Sequence, residues 1–390
     1  MSESRAGARR LIITSMKNEG PHIVEWVAYH RVIGFTDFLV YTNDCEDGTD
    51  AMLDRLQAMG VLAHERNRVL RRGPQKSALK WAKDHPLAAA ADWILVSDVD
   101  EFLNVKIGDG SVAALIDAVP GADAIPVTWR LFSHGGLTEF VDEPIVSQFT
   151  DAERPLEAGG FPDRFVKTIF RPDEAVERFG THGPIAEEGA LAWIQPDGRA
   201  LGLSDNLTRP ASAFAYDVAQ INHYAVCSVD GFLVKRDRGR VNHYRQVMGL
   251  DYWRRMCRGG EADRTILRHL DATRAEMKRL LADDELRRLH DASVAWRRGR
   301  TAALRAIPEF EEMRTEILDL SAAGDHRRDA PSKKPAPETP RRDPKAAAKK
   351  MKALCEEMRA LLPAIEPMDA AAEAEARLDE IERGLFGPGG

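Results

Sequence analysis

Cysteine is scarce in this 390-residue chain: Cys45, Cys227, Cys257 and Cys355 are scattered, with no CxxC spacing. That excludes a zinc ribbon and a disulfide framework and leaves isolated reduced thiols, as in a cytosolic protein. Long apolar runs are also missing. No window reaches the roughly 18 apolar residues of a membrane span. The apolar run after the polar N-terminus, residues 11–13, is too short for a signal-peptide core. A soluble, cytoplasmic protein is expected, peripheral at a membrane if its acceptor is made there. An excess of positive charge is lacking too. The net charge is −7, which gives no general drive toward nucleic acid, and nucleic acid is not an expected partner. Neither GxGxxG nor GxxxxGK followed by Ser or Thr occurs, so a Rossmann dinucleotide site and a P-loop are both unsupported.

What is present is a chain with 44% hydrophobic residues, enough to bury a real core. Residues 11–14 read as a buried strand, followed by a loop and by a helix that starts near Pro21 and stops at Gly34. Further strands are predicted at 38–41, 61–63 and 93–96, with helices near 49–59 and 75–84 between them. Strands alternating with helices indicate βαβ units, a mainly parallel sheet flanked by helices, and strand-end loops gathered along one edge. After residue 107 the alternation loosens, with strands at 122–128 and 164–170, and 251–311 has the spacing of packed helices. The division expected is a sheet domain over 8–245, a helical extension over 246–320, a flexible Pro/Lys/Arg/Ala-rich linker over 321–350 and a helical tail over 351–390. The tail is a candidate for self-association or docking.

The strongest chemical signal is Trp93-Ile94-Leu95-Val96-Ser97-Asp98-Val99-Asp100-Glu101, a buried strand ending in three acids. On an extended chain Asp98 and Asp100 point the same way and converge. Two adjacent carboxylates repel, and a divalent cation relieves that repulsion; oxygen ligands suit Mg²⁺ or Mn²⁺, which keep positions open for phosphate. The segment Asn43-Asp44-Cys45-Glu46-Asp47-Gly48-Thr49 after the second strand reads equally as an Asp/Gly turn or as a site. Trp129, Phe132, His134, Gly135 and Gly136 form an aromatic, glycine-rich stretch, which is either an ordinary loop or a surface on which a sugar stacks.

In combination, Lys17-Asn18-Glu19, Glu25-Trp26-Val27-Ala28-Tyr29-His30, Gly34, Asn43-Asp44, Asp47-Gly48-Thr49 and Asp98-Val99-Asp100-Glu101-Phe102 resemble the N-terminal half of a GT-A glycosyltransferase of the family 2 and family 92 type. The resemblance extends more weakly through residues 165–172, His182-Gly183-Pro184, Ile221-Asn222-His223-Tyr224 and Lys235 to Arg238-Gly239. It implies a GT-A fold, a nucleotide-sugar donor (a UDP-sugar foremost), a glycan, lipid-linked or protein acceptor, and Mn²⁺ or Mg²⁺ as cofactor. It places Asp98 and Asp100 on the metal and the donor diphosphate, with His223 as a third contact. Lys17, Asn18, Glu19, Asn43, Asp44 and Lys76 would line the donor cleft, and Lys235 and Arg238 would neutralise the leaving diphosphate. Trp129, His134 and His182 are the acceptor candidates. An inverting reaction needs a general base, for which Glu187 stands first among Asp142, Glu143, Glu187 and Glu188.

Two rival readings use the same residues. A sugar nucleotidyltransferase would share the fold and the carboxylates but needs a Gly-rich, basic loop after the first strand, where this chain has Met16-Lys17-Asn18-Glu19-Gly20. A non-catalytic scaffold would use the helical tail and has no use for an intact carboxylate pair.

Overall fold

Four strands separated by helices form the first half of the sheet: β1 (Arg10–Met16), α1 (Gly20–Val32), β2 (Asp37–Thr42), α2 (Thr49–Ala58), β3 (Ala63–Arg66), α3 (Pro74–Lys83), α4 (Pro86–Ala89) and β4 (Trp93–Val96). The computed structural model of the chain describes residues 7–155, 163–201, 208–210, 216–239 and 248–324. Beyond Gly324 the expected linker and helical tail lie outside the described residues. Strands β3, β2, β1 and β4 lie side by side in that order and are parallel throughout, as right-handed βαβ crossovers require. The expected third strand begins at Ala63 rather than Val61. Gly60 takes φ 70°, and the Val61 N–H returns to the Leu56 carbonyl, so these residues close α2 before the strand can start.

The second half is mixed. It contains β5 (Glu101–Val105), α5 (Val112–Ala118), β6 (Ala124–Leu131), α6 (Ile145–Gln148), β7 (Asp151–Glu153), β8 (Asp163–Phe170), β9 (Val176–Phe179), β10 (Pro184–Ala186), β11 (Thr208–Pro210), β12 (Ala219–His223) and α7 (Val229–Arg238). β8 runs antiparallel between β4 and β6; β12 lies parallel to β6, and β5 closes the edge antiparallel to β12. The resulting nine-stranded α/β sheet, flanked by helices, is a GT-A architecture.

The remaining elements are α8 (Leu250–Met256), β13 (Gly260–Ala262), a 3₁₀ turn (Thr265–His269), α9 (Leu270–Leu280), α10 (Asp284–Arg305) and α11 (Pro308–Ala322). α10 presents Leu286, Ser293, Val294, Arg297, Thr301 and Leu304 as one buried stripe at helical spacing. Ion pairs join this layer to the sheet domain: Arg31 with Glu276, Arg55 with Asp283, Arg300 with Asp237 and Arg314 with Asp230. Gly20, at the start of α1, sits so close to α10 that a Cβ there would lie 1.9 Å from Ser293 Oγ. Among the described residues no helix is long and apolar enough to cross a membrane.

Helix α1 is buried on nearly every side, and three of its polar groups bind specific partners. Trp26 Nε1 donates to the Glu101 carbonyl and Tyr29 Oη to the Leu103 carbonyl, which hold α1 along β5. The Glu25 carboxylate accepts the N–H groups of Ile145 and Val146 and so fixes the start of α6. Burial pushes the Glu25 pKa up to about 7, against the pull of those two N–H groups. Because the folded value lies above the ordinary 4.5, the folded chain holds a proton that the unfolded chain releases. Stability from this group is therefore complete at low pH and falls, by an order of 3 kcal/mol, as pH rises through the window between these values. Glu25→Gln is expected to flatten that slope, so that melting temperature drops less than in wild type between about pH 5 and pH 8.

Candidate active site

The parallel strands deliver three loops to one edge: residues 17–19 after β1, 43–48 after β2 and 97–100 after β4. The first two brace each other. Asn18, at φ 52°, accepts the Glu46 N–H on its Oδ1; Thr49 Oγ1 accepts the Glu19 N–H, and Asp47 Oδ2 accepts that of Gly20. Asn18 Oδ1 thus braces the two loops, with the side chain 2% exposed. Asp44 is exposed at the end of β2 at φ 51°, with Asn43 Nδ2 on its carboxylate, a left-handed conformation that Asp and Asn tolerate. Lys76 is exposed on the first turn of α3. Its neighbour Gln75 is the residue of that turn that points inward, donating to Asp98 Oδ1 and accepting from Thr181 Oγ1.

The acids after β4 do not continue the strand. The Glu101 N–H returns to the Asp98 carbonyl at 3.1 Å, so residues 98–100 turn, and the two aspartates meet different lysines. Asp98 Oδ2 meets Lys167 Nζ at 3.2 Å. The same ammonium lies 3.1 Å from Glu101 Oε2, and Glu101 also accepts the Asp98 N–H. Lys167 and Glu101 are both completely buried. Burial alone would lower the Lys167 pKa, but Asp98 and Glu101 together raise it, so the ammonium stays charged. Burial also pushes Glu101 up to about 7, with Lys167 opposing.

Asp100 belongs to a second group. Its Oδ2 accepts Lys235 Nζ at 2.5 Å and lies 3.7 Å from His223 Nε2. Burial opposes its ionisation, yet Lys235 and His223 hold it well below the usual carboxylate range. His223 reaches this point because β12 alternates. Gln220 and Asn222 bond into a buried polar network with Asn104, Tyr224 and Asp263, which leaves Ile221 and His223 on the opposite face. The buried His223 Nδ1 has no hydrogen-bond partner among the described residues.

Trp129, His182 and His223 form one aromatic cluster, with ring centroids 4.3 Å apart for Trp129 and His223 and 5.5 Å apart for Trp129 and His182. Phe165, 47% exposed, stacks on His182 and extends the cluster to the surface. His182 Nδ1 bonds the Val166 carbonyl, which makes Nδ1 the donor and leaves Nε2 an acceptor; burial lowers its pKa to about 4, so it is neutral.

On the other side of Asp100, Arg238 donates to the Lys17 carbonyl and to Glu19, and Arg297 of α10 donates to the Asn18 carbonyl. Lys17 enters the site through this backbone carbonyl.

Other expected residues fall elsewhere. His134 is buried against Trp253 of α8, with Nδ1 facing the Leu137 carbonyl, because the 133–136 loop folds over that helix. Glu187 and Glu188 are exposed in the turn after β10, where the Ala190 N–H bonds the Glu187 carbonyl. Asp142 faces His290 and Glu143 faces Arg274, in a separate groove beside α9 and α10. None of these four acids contacts Asp98 or Asp100 among the described contacts. Sequence reading missed Gln75, Glu101, Lys167 and Arg297 as site residues. Lys167 did carry a signal, since a lysine inside the apolar run Phe165-Val166-Lys167-Thr168-Ile169-Phe170 must meet opposite charge once buried. Arg297 carried one too, as a cation in the apolar stripe of α10.

A divalent ion is the cofactor this fold class implies. Among the described residues no three His, Cys, Asp or Glu side chains gather in a form suited to one. Asp100 and His223 nevertheless fit as two donors. Ligands sharing one ion at about 2.1 Å each stand roughly 3–4 Å apart, and Asp100 Oδ2 and His223 Nε2 are 3.7 Å apart. The remaining positions would fall to water and phosphate oxygens, as is usual for Mg²⁺ and Mn²⁺.

Parallel strands, a mixed half sheet, and cations facing the partly exposed Asp98 and Asp100 at the sheet edge make up a GT-A-type fold. The sequence model of glycosyltransferase family 92 matches residues 17–276, and the chain belongs to that family. A glycosyltransferase family 92 protein of Ricinus communis is 29% identical over 102 residues, which is 25% of this chain and 17% of that protein. Among solved structures, S. aureus TarS matches at 17% identity and TM-score 0.25 over 31% of this chain and 21% of that one. TarS 1–349 in complex with UDP-GlcNAc matches at 13% identity and TM-score 0.29 over 82% of this chain and 88% of that one. The chain therefore spans only about a sixth of the curated relative's length and a fifth of the first TarS chain's.

Lys167→Met leaves the buried Glu101 and the partly exposed Asp98 without their shared cation. It is expected to cost about 3–5 kcal/mol in urea denaturation at neutral pH, and less at about pH 5, where Glu101 takes up a proton.

Proposed function

We propose that this family 92 glycosyltransferase transfers a sugar from a nucleotide-sugar donor, a UDP-sugar in the first instance, to a hydroxyl of a glycan, lipid-linked or protein acceptor. The observation that carries the reading is the turn at the end of β4, where Asp98 meets Lys167 and Asp100 meets Lys235 beside an aromatic surface. Transfer breaks the donor's C1–O bond as the acceptor oxygen attacks C1. Negative charge then accumulates on the departing nucleoside diphosphate. Preorganised cations act where that charge develops, and Lys235 and Arg238 on α7 supply them here.

Asp100 and His223 are the residues that would hold Mn²⁺ or Mg²⁺, which when bound supplies Lewis-acid stabilisation of the leaving diphosphate. Asp98 orients Gln75 and Lys167 along the donor side. The exposed edge of Asp44 faces the nucleoside. Trp129, Phe165 and His182 form the platform on which the acceptor sugar stacks, with His182 Nε2 accepting a hydrogen bond from one of its hydroxyls.

The test is a thermal-shift and hydrolysis panel of nucleotide sugars and free nucleotides, with and without Mn²⁺. Stabilisation by UDP and turnover of at least one UDP-sugar are expected. Binding of purine nucleotides alone would overturn the uridine assignment, and no binding or turnover of any donor would overturn the reading as a whole. Asp100→Asn is expected to lower kcat/KM at least about 100-fold while the protein still melts cooperatively. Phe165→Ala is expected to raise the acceptor KM about 3- to 10-fold with donor affinity unchanged, as measured by initial rates and donor titration.

A further inference from the structure

Beside Asp100 lies a narrow, largely apolar cleft with about 40 Å³ of free space, whose polar lining includes Glu19, His22, Lys235, Arg238 and Arg297. Its unusual member is Arg297, which comes from α10, outside the residues that match the family. The side chain is 4% exposed, so it belongs to the interior. A guanidinium offers five N–H donors, and burying it without partners is costly. Arg297 spends little of that capacity. One Nη2 contact reaches the Asn18 carbonyl at 3.3 Å, Glu19 stands 4.0 Å away, and Nε has no partner among the described residues. Arg238 faces the same point with its own Nε unpartnered.

Between the two guanidiniums sits a single carboxylate, that of Glu19. Its backbone does not depend on this contact, since the Glu19 N–H is held separately by Thr49 Oγ1. The arrangement is a buried, under-filled anion seat beside the acid at which a leaving diphosphate would lie.

Resting on the donor reading above, we infer that Arg297 and Arg238 together bind the diphosphate of a nucleoside diphosphate or nucleotide sugar, and that the Glu19 carboxylate occupies this seat until the donor displaces it. Two bridging phosphates offer more acceptor oxygens than one carboxylate and match the fork of a guanidinium in two-point contact. Movement of the Glu19 side chain also opens the cleft, which is too tight for a diphosphate while that side chain is in place. The helical layer beyond the matched residues thereby becomes part of the donor site.

The test is titration calorimetry of the full chain with UDP and with UMP at fixed Mn²⁺, alongside melting curves for every variant. Arg297→Gln is expected to weaken UDP about tenfold or more while changing UMP less than about twofold, because the missing contact is to the second phosphate. Arg297→Lys is expected to recover part of the UDP affinity. Glu19→Gln, which removes the competing charge at nearly constant shape, is expected to tighten UDP several-fold. Equal loss of UDP and UMP, or no loss of either, with Arg297→Gln would overturn the inference and leave the donor reading intact. If Arg297→Gln does not fold, Glu19→Gln decides, and unchanged or weaker UDP binding overturns the proposal. Failure of the wild-type chain to bind any nucleoside diphosphate would remove the donor reading and the inference with it.

Discussion

A single buried ammonium holds the sheet's working edge together. Lys167 has no exposed surface, yet it satisfies Asp98, Glu101 and the Thr181 carbonyl at once. It stands on β8, the strand that runs antiparallel between β4 and β6, so the same residue links the parallel half of the sheet to the mixed half. Without it, the chain would bring acids to the end of an apolar strand with nothing to balance them. A buried charge is tolerated only when paired and hydrogen-bonded, and Lys167 meets that condition for two carboxylates.

The other side of the turn repeats the arrangement with different consequences. Asp100 is paired with Lys235, and Glu19 with Arg238 and Arg297. These cations come from α7 and α10, so helices packed beside the sheet complete the charge balance at its edge. This group contains guanidinium nitrogens without partners among the described residues, the Nε atoms of Arg238 and Arg297. Local rules of satisfaction are commonly broken where a ligand is to be bound, at a cost offset elsewhere in the fold. The ion pairs that tie α9–α11 to the sheet domain and the close contact of Gly20 with Ser293 hold α10 where Arg297 can reach the cleft.

Much of the first half of the fold was legible in the sequence because its signals are local. Trp93–Val96 is a strand because four apolar residues end abruptly in acids, and α1 starts where Pro21 suits a first helical turn. Prediction failed where two local signals competed or where helix phase mattered. Val61 looked like a strand residue but was taken by the cap of α2. Lys76 and Gln75 are neighbours on α3, and the rotation of that helix, which side-chain type alone does not report, turned Gln75 inward. Glu187 and His134 had the right chemistry in the right order along the chain. The β9–β10 hairpin and α8 carried them away from the acids.

The sequence by itself determined the alternation of strands and helices, the placement of Asp98 and Asp100 at a strand end, and membership in a family, since each of these rests on residues close together in the chain. Only the tertiary structure decided which cation meets which acid. Asp98 and Lys167 are 69 residues apart, Asp100 and Lys235 are 135, and Glu19 and Arg238 are 219. Such pairings depend on the order in which strands enter the sheet and on the packing of α7 and α10 against it. No local pattern of residues encodes that order, because it follows from burying all the apolar faces at once.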